Sequence, residues 1–385
     1  MIDHMIANNC TGCEACCSRC PKSCISMVED KEGFYFPKVD YKLCLNCKKC
    51  AEICPILNFK NNHKNISDLK LSFAYRSNND AYRKNCSSGA VFMDLAVEFI
   101  NVGGVVYGAS FNTEYKLYHK KAENIAELKP LTGSKYLQGR IGDIYKEVKY
   151  DLDSGRKVAF FGLTCQIEGL HSYLNKSYSN LYSIDLICMG IPSPMVWKKY
   201  LDSYYNVCEI TSINFKDKRL GWHKFSLTIN HDDGKSISIP GFDDKYMECM
   251  FKGYSLRKSC FSCPYKCENK ISDITIADCW GCENYVADMD DNKGLSMIIV
   301  HSIKGSKLVE SLNQKGELRQ FNYQNVLKYN SHYYKCAIKK KGRTFFYFLL
   351  KLSPKSAFYL MGKNPNKSMV LRVKNKIKKI FRSIL

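Results

Sequence analysis

Residues 10–21 read CTGCEACCSRCP and residues 44–55 read CLNCKKCAEICP, one cysteine pattern written twice as C-x2-C-x2-C-x3-C-P. Three closely spaced thiolates grip three corners of a 4Fe-4S cube. The fourth cysteine of each run, turned away by the proline that follows it, completes the other cube. The spacing therefore assigns Cys10, Cys13, Cys16 and Cys54 to one cluster and Cys44, Cys47, Cys50 and Cys20 to a second. A pair of zinc ribbons is the competing reading, but zinc takes four ligands and favours two separated C-x2-C knuckles over eight cysteines in interlocked runs. Cys17 and Cys24 fall outside the pattern and read as small buried side chains.

Working outward, residues 1–60 are expected to form a two-cluster ferredoxin-type domain. The chain has 385 residues, so a larger domain or two modest ones must follow. The 21 cysteines would suit a secreted disulfide scaffold. The first nine residues, however, lack the charged and apolar regions of a secretion signal, and iron-sulfur ligation needs reduced thiols. A cytoplasmic protein is the expectation. No run of about 18 apolar residues occurs, the nearest being the short block Phe345–Leu350, so no membrane-spanning helix is expected.

The formal charge of +21 is unevenly spread. Residues 335–385 carry 15 Lys and Arg and no acid, whereas the rest of the chain carries 43 against 37. Basicity belongs to a tail, and a nucleic-acid-binding surface, which interleaves basic and base-stacking aromatic residues on one folded face, is not expected. Within that tail, Val370, Val373, Ile377, Ile380, Phe381 and Ile384 fall on one helical face with Lys and Arg mostly around the others. Such a pattern fits peripheral contact with an anionic membrane, at its inner face, and equally a helix docked on its own domain or on a partner.

Between Asn58 and Leu69 the sequence is polar and without periodicity and reads as a linker. A second domain begins near Leu71. Ser87-Ser88-Gly89 stands before a helical pattern of Val91, Phe92, Leu95, Phe99 and Ile100, so the serines are expected at a helix N-terminus. That position suits a phosphate, or simply an N-cap. Gly133-Ser134-Lys135-Tyr136 precedes another helix through Leu152. A strand over Lys157–Phe161 leads to Cys165 and a helix through Leu174, and a second strand over Leu181–Ile187 ends at Cys188. Strand-helix-strand alternation argues a parallel sheet, whose ligands bind beyond the carboxyl ends of the strands, where both cysteines stand. Segments around Asn214, Phe225–Ile229 and Ile237–Ile239 read as antiparallel strands. The expected fold class is α+β: the ferredoxin module, then an α/β domain with parallel and antiparallel parts, which the resemblance described next implies to be flavin-binding. A third metal site is implied by Cys260 and Cys263. Either the strand-end pair Cys165 and Cys188 joins them, or they form a local site with Cys267 and Cys279 or Cys282.

Several of these motifs, in this order, resemble the beta subunit of coenzyme F420 hydrogenase and dehydrogenase and its bacterial relatives. They are Ser87-Ser88-Gly89, Gly133-Ser134-Lys135-Tyr136, Gly162–Gln166, Asp185–Pro194, Lys218–Trp222, Cys260-x2-Cys263 and Asp273–Gly281. The match runs to about residue 320, as an N-terminal part over 70–150 and a C-terminal part over 151–320, with residues 335–385 as the basic tail. The resemblance implies an oxidoreductase carrying FAD beside a 4Fe-4S cluster, with Cys165, Cys188, Cys260 and Cys263 as its ligands. FAD phosphates fall to Ser87, Ser88 and Gly89, and the flavin neighbourhood to Ser134, Lys135 and Tyr136; no catalytic residue is assigned. Electrons would pass between a hydride carrier, F420 or another donor, and a redox partner protein or small-molecule acceptor. A non-catalytic electron-transfer subunit and a ferredoxin-dependent reductase of a small organic substrate are the alternatives. Two departures stand out: Leu163-Thr164 replaces the Thr-Pro common before the cysteine, and Met189 replaces the histidine often found after Cys188.

Overall fold

A computed structural model describes residues 1–62 and 69–361. Their strands are β1 (Ile25–Glu29), β2 (Tyr35–Val39), β3 (Leu71–Ser77), β4 (Val105–Phe111), β5 (Leu117–Ala122), β6 (Val158–Leu163), β7 (Leu181–Leu186), β8 (Ile210–Asp217), β9 (Ser226–His231), β10 (Ser236–Pro240), β11 (Ile274–Asp278), β12 (Ser296–Val300) and β13 (Gly316–Phe321). An antiparallel hairpin of β1 and β2 separates the two cysteine runs, with Ile25 opposite Val39. β8, β9 and β10 make a small antiparallel sheet, and the remaining eight strands form one sheet in the order β13-β3-β12-β11-β7-β6-β4-β5.

The centre of the large sheet, β4, β6, β7 and β11, is parallel. Helices cover both its faces, which is why these strands read as unbroken apolar runs rather than alternating ones. With the two-residue period of a strand, Val105, Tyr107, Val158 and Phe160 turn toward the helices Ile144–Asp153 and Thr164–Leu174. Val106, Ala159, Phe161, Ile184 and Ile274 turn toward the helices Val91–Asn101 and Ile303–Ser311. The antiparallel strands β5, β12, β3 and β13 extend this centre on both sides. β3 sits between β12 and β13, so segments from 70–150 and 151–320 share one sheet.

Three expectations change. The helix after Ser87-Ser88-Gly89 starts only at Val91, with Ala90 left-handed at its N-cap (φ 74°) and no side chain capping it; the serine hydroxyls bond elsewhere, as shown below. Part of the expected linker is ordered, because Phe59–Asn62 forms a helical turn whose Phe59 ring meets Tyr265 edge-on at 5.6 Å. The tail begins as core. Helices Arg343–Leu352 and Pro354–Met361 bury Phe346, Leu349, Leu350, Ala357 and Phe358 with Tyr200 and Leu201 of the Pro194–Tyr204 helix, each aromatic contributing roughly 2 kcal/mol by burial. The amphipathic stretch read for membrane contact lies outside the described residues. Among those described, no helix is long and apolar enough to cross a membrane.

The cysteine-rich segment is clamped to the large domain. Ala15 and Ile53 complete the core between the sheet and its helices. Buried Glu14 accepts from Arg140 Nε at 2.5 Å and from the Ile141 and Gly142 N–H groups at 3.2 and 3.1 Å. Arg257, fully buried, donates to Cys10 O at 2.7 Å, Tyr35 O at 2.9 Å and Gln138 Oε1 at 3.2 Å.

Candidate functional site

The two cysteine runs share a backbone device that the spacing does not reveal. Gly12 and Asn46, each two residues after the first cysteine of its run, are left-handed (φ 75° and 51°), and so are Glu14 and Lys48 two residues further on (61° and 59°). These reversals curl each loop so that Gly12 N–H points at Cys10 Sγ (3.4 Å) and Asn46 N–H at Cys44 Sγ (3.4 Å). N–H groups aimed at sulfur stabilise it as an anionic ligand. The runs also interlock in space. Cys13 interacts electrostatically with Cys54 and Cys10, whereas Cys50 interacts with Cys20. Cys20, Cys44, Cys47 and Cys50 line one cavity. Cys24 lines it too, 3.3 Å from Cys20, so this buried cysteine is part of the wall rather than remote filler; Cys17 stays beside Cys16.

Cys165, Cys188, Cys260 and Cys263 line a second cavity, beyond the carboxyl ends of β6 and β7. Here too N–H groups meet sulfur, from Gly190 to Cys188 and from Ile191 to Cys260, both at 3.3 Å. Burial, reinforced by the neighbouring thiols, pushes Cys260 up to about 12 and Cys263 to about 11, and Cys165 well above its ordinary value. Thiols as buried as Cys165, Cys260 and Cys263 release their protons most readily to a cationic centre, which fits an iron-sulfur core. The local alternative is not assembled: Cys279 and Cys282 belong to a different core, with Trp222, Val286 and Met289, and Cys267 is turned to Asn269 O at 3.2 Å. Among the described residues no three His, Cys, Asp or Glu side chains close on a single metal ion.

The cysteine sets are contiguous. Gly169 lies one turn into the helix that Thr164 and Cys165 open, and a Cβ there would meet Cys13 Cβ at 2.9 Å and Sγ at 3.2 Å. Thr11 completes the wall of the strand-end cavity. In turn, Cys54 feels Cys50. The three sets thus form one line, from the sheet ends through Cys13 to the outer cavity.

A separate polar corner gathers the residues expected near FAD. Ser134 N–H donates to Ser87 Oγ at 2.7 Å, the two hydroxyls lying 2.9 Å apart. Ser88 Oγ donates to Leu295 O (2.8 Å), and Gly89 N–H to Ser296 Oγ (2.8 Å). Lys218 Nζ donates to Ser88 O (3.0 Å) and Lys293 O (2.8 Å), and Lys135 Nζ to Thr132 O (2.7 Å). Desolvation lowers Lys135 to about 7 and Lys218 to about 8. Neither has a carboxylate partner among the described residues, so an anionic ligand would restore their charge. Tyr136 packs edge-on against Phe215 at 5.6 Å. Behind it the ion pair of buried Lys216 with half-buried Asp278 is held by Trp222 Nε1 on Asp278 Oδ1 at 2.9 Å, and Trp222 stacks on Trp280 at 4.9 Å. The pairing of Lys216 with Asp278 escaped the sequence reading because nothing local joins residues that far apart. Met189, next to Cys188, packs against the same hydrophobic core as Tyr136 and Trp280.

Residues 155–325 match the family model that describes the C-terminal part of the beta subunit of coenzyme F420 hydrogenase/dehydrogenase, so the resemblance carried by the motifs holds for this stretch. The F420-dependent formate dehydrogenase subunit beta of Methanocaldococcus jannaschii is 24% identical over 140 residues, 36% of this chain and 31% of that relative. An uncharacterized ferredoxin of the same organism is 41% identical over 46 residues, 12% of this chain and 58% of the ferredoxin. The matches thus span less than two thirds of either relative. A chain of the F420-reducing NiFe hydrogenase complex from Methanosarcina barkeri superimposes with a TM-score of 0.45 at 14% identity, covering 66% of this chain and 82% of that one.

Proposed function

We propose that the protein is an iron-sulfur flavoprotein oxidoreductase, in which FAD exchanges hydride with a carrier of the F420 class and single electrons with a line of three 4Fe-4S clusters. The observation that carries this reading is the contiguity of the three cysteine sets, with Cys13 lodged at Gly169 beside the cavity lined by Cys165. FAD supplies the exchange between paired and single electrons, and the chain's residues hold and orient it. Lys135 and Lys218 offer two partly desolvated cations to its phosphates beside Ser87 and Ser88. Tyr136 and the Trp222–Trp280 stack border the ring's side of the corner. Cys165, Cys188, Cys260 and Cys263 hold the nearest cluster, and the two interlocked sets carry electrons outward.

Anaerobic purification with flavin and iron quantitation tests it. About twelve irons and one FAD per chain are expected. Cys165→Ser should remove about four of those irons, while Cys282→Ser leaves iron content unchanged. Full iron in Cys165→Ser with loss in Cys267→Ser would sink the ligand assignment. A protein with full iron and no flavin would be an electron-transfer subunit without catalysis of its own.

A further inference from the structure

We propose that the rim of the cavity lined by Cys20, Cys44, Cys47 and Cys50 is the docking surface for a small acidic electron-carrier protein. This deepens the iron-sulfur reading above and rests on it. Among the twelve assigned ligands Cys10, Cys50, Cys54, Cys165 and Cys260 are buried, and Cys47, in the outer set, is the exposed one. Electron tunnelling through protein weakens steeply with distance, so the outer set is where electrons enter or leave the line.

The surface around Cys47 has two further properties. Tyr41, Leu43, Leu45 and Met5 are 54%, 56%, 62% and 56% exposed, a concentration of large apolar side chains in water that marks an interaction site. Lys22, Lys42, Lys48 and Lys49 are exposed beside them, and Lys22, Lys48 and Lys49 line the cavity itself together with Leu45. No ion pair or side-chain hydrogen bond engages these four ammonium groups among the described residues. Two of the nearby carboxylates are bonded locally: Asp3 accepts from Tyr41 OH (3.0 Å) and Asp40 from Lys42 N–H (3.0 Å). An anionic cluster accounts for lysines near its ligands but not for the apolar side chains left in water between them. An apolar centre inside a charged rim is the anatomy of a protein interface, and unpaired lysines on that rim steer an acidic partner into register. The transfer itself balances simply. The donor cluster is oxidised by one electron and the partner's centre is reduced by one, with no bond made or broken.

The test is anaerobic stopped-flow electron transfer between the cluster-loaded chain and an acidic two-cluster ferredoxin, with a neutral dye as the second acceptor. Replacing Lys42, which lies outside the cavity wall, by Glu should slow transfer to the ferredoxin about threefold or more. Raising ionic strength from about 0.05 to 0.5 M should do the same to the wild type. Iron content and the dye rate should not change. Leu43→Ser with Leu45→Ser, which leaves the charges in place, should weaken the complex at every ionic strength. An unchanged ferredoxin rate in the lysine variant with full iron overturns the proposal. So does an iron loss in the lysine variant accompanied by an unaltered ferredoxin rate in the leucine variant, since the lysines then serve only the cluster. Binding of the wild type to anionic phosphatidylserine vesicles that the lysine variant loses, with ferredoxin transfer intact, would assign the rim to a membrane. A wild type that holds no iron defeats the parent reading, and this one with it.

Discussion

Replacing Arg257 by Met removes the clamp between the cysteine-rich segment and the segment that supplies Cys260 while keeping a side chain of similar length. In the native protein the guanidinium satisfies the carbonyls of Cys10 and Tyr35 and the Gln138 amide oxygen, and it stacks 4.0 Å from the Phe36 ring. Each hydrogen bond to a charged group is worth about 1.5–3 kcal/mol, and the orphaned carbonyls keep their desolvation penalty. Against this, Met sheds a buried charge and retains apolar packing, so the net loss should be about 3–5 kcal/mol, the range for breaking a buried charged network. With an m-value of about 3 kcal/mol per M, the urea midpoint should fall by about 1 M or more under anaerobic conditions. On the function proposed above, electron transfer to the outer clusters should slow in the still-folded variant, because Cys10 loses its anchor to the strand-end cavity. Arg257→Lys, with charge but without the planar fork, should fall between the two. A midpoint within about 0.2 M of the wild type would refute the clamp.

Two further outcomes are expected. Desolvation holds His119 at about 4, below its ordinary 6.5; the native state keeps it neutral while the unfolded chain protonates it. Its contribution is therefore whole above pH 6.5 and lost as pH falls toward 4, by up to about 3 kcal/mol. His119→Phe, keeping the stack on Phe160, should flatten the acid limb of Tm against pH, and an unchanged limb would rule this out. At Gly89 a Cβ would stand 2.1 Å from Tyr75 O and 2.7 Å from Ser296 N, both backbone atoms. Gly89→Ala should thus force β3 and β12 apart, destabilise by about 2 kcal/mol or more, and lower bound flavin. Wild-type thermal stability in that variant would show that the strands can give way.

The cysteine spacing made the grouping of the two runs an expectation, because short loops leave a cluster's ligands few ways to be arranged. Cys165 and Cys188 were legible for a related reason: apolar runs followed by helical periodicity mark parallel strands, and their carboxyl ends are where a sheet leaves room for a ligand. The left-handed turns at Glu14 and Lys48 were not legible, since neither residue type prefers that backbone and the loop imposes it. Nor was the separation of Cys279 and Cys282 from Cys260, which C-x2-C spacing alone leaves open.

By itself the sequence determined the local pattern: two cysteine runs of repeated spacing and a parallel strand-helix core. The tertiary structure decided which distant pieces share a site. β3 lies between β12 and β13, Lys216 pairs with Asp278, and Cys13 reaches the Cys165 helix through the space left at Gly169. Hydrogen-bonded ladders, buried charges and close packing join residues through space, and local periodicity records none of those partnerships.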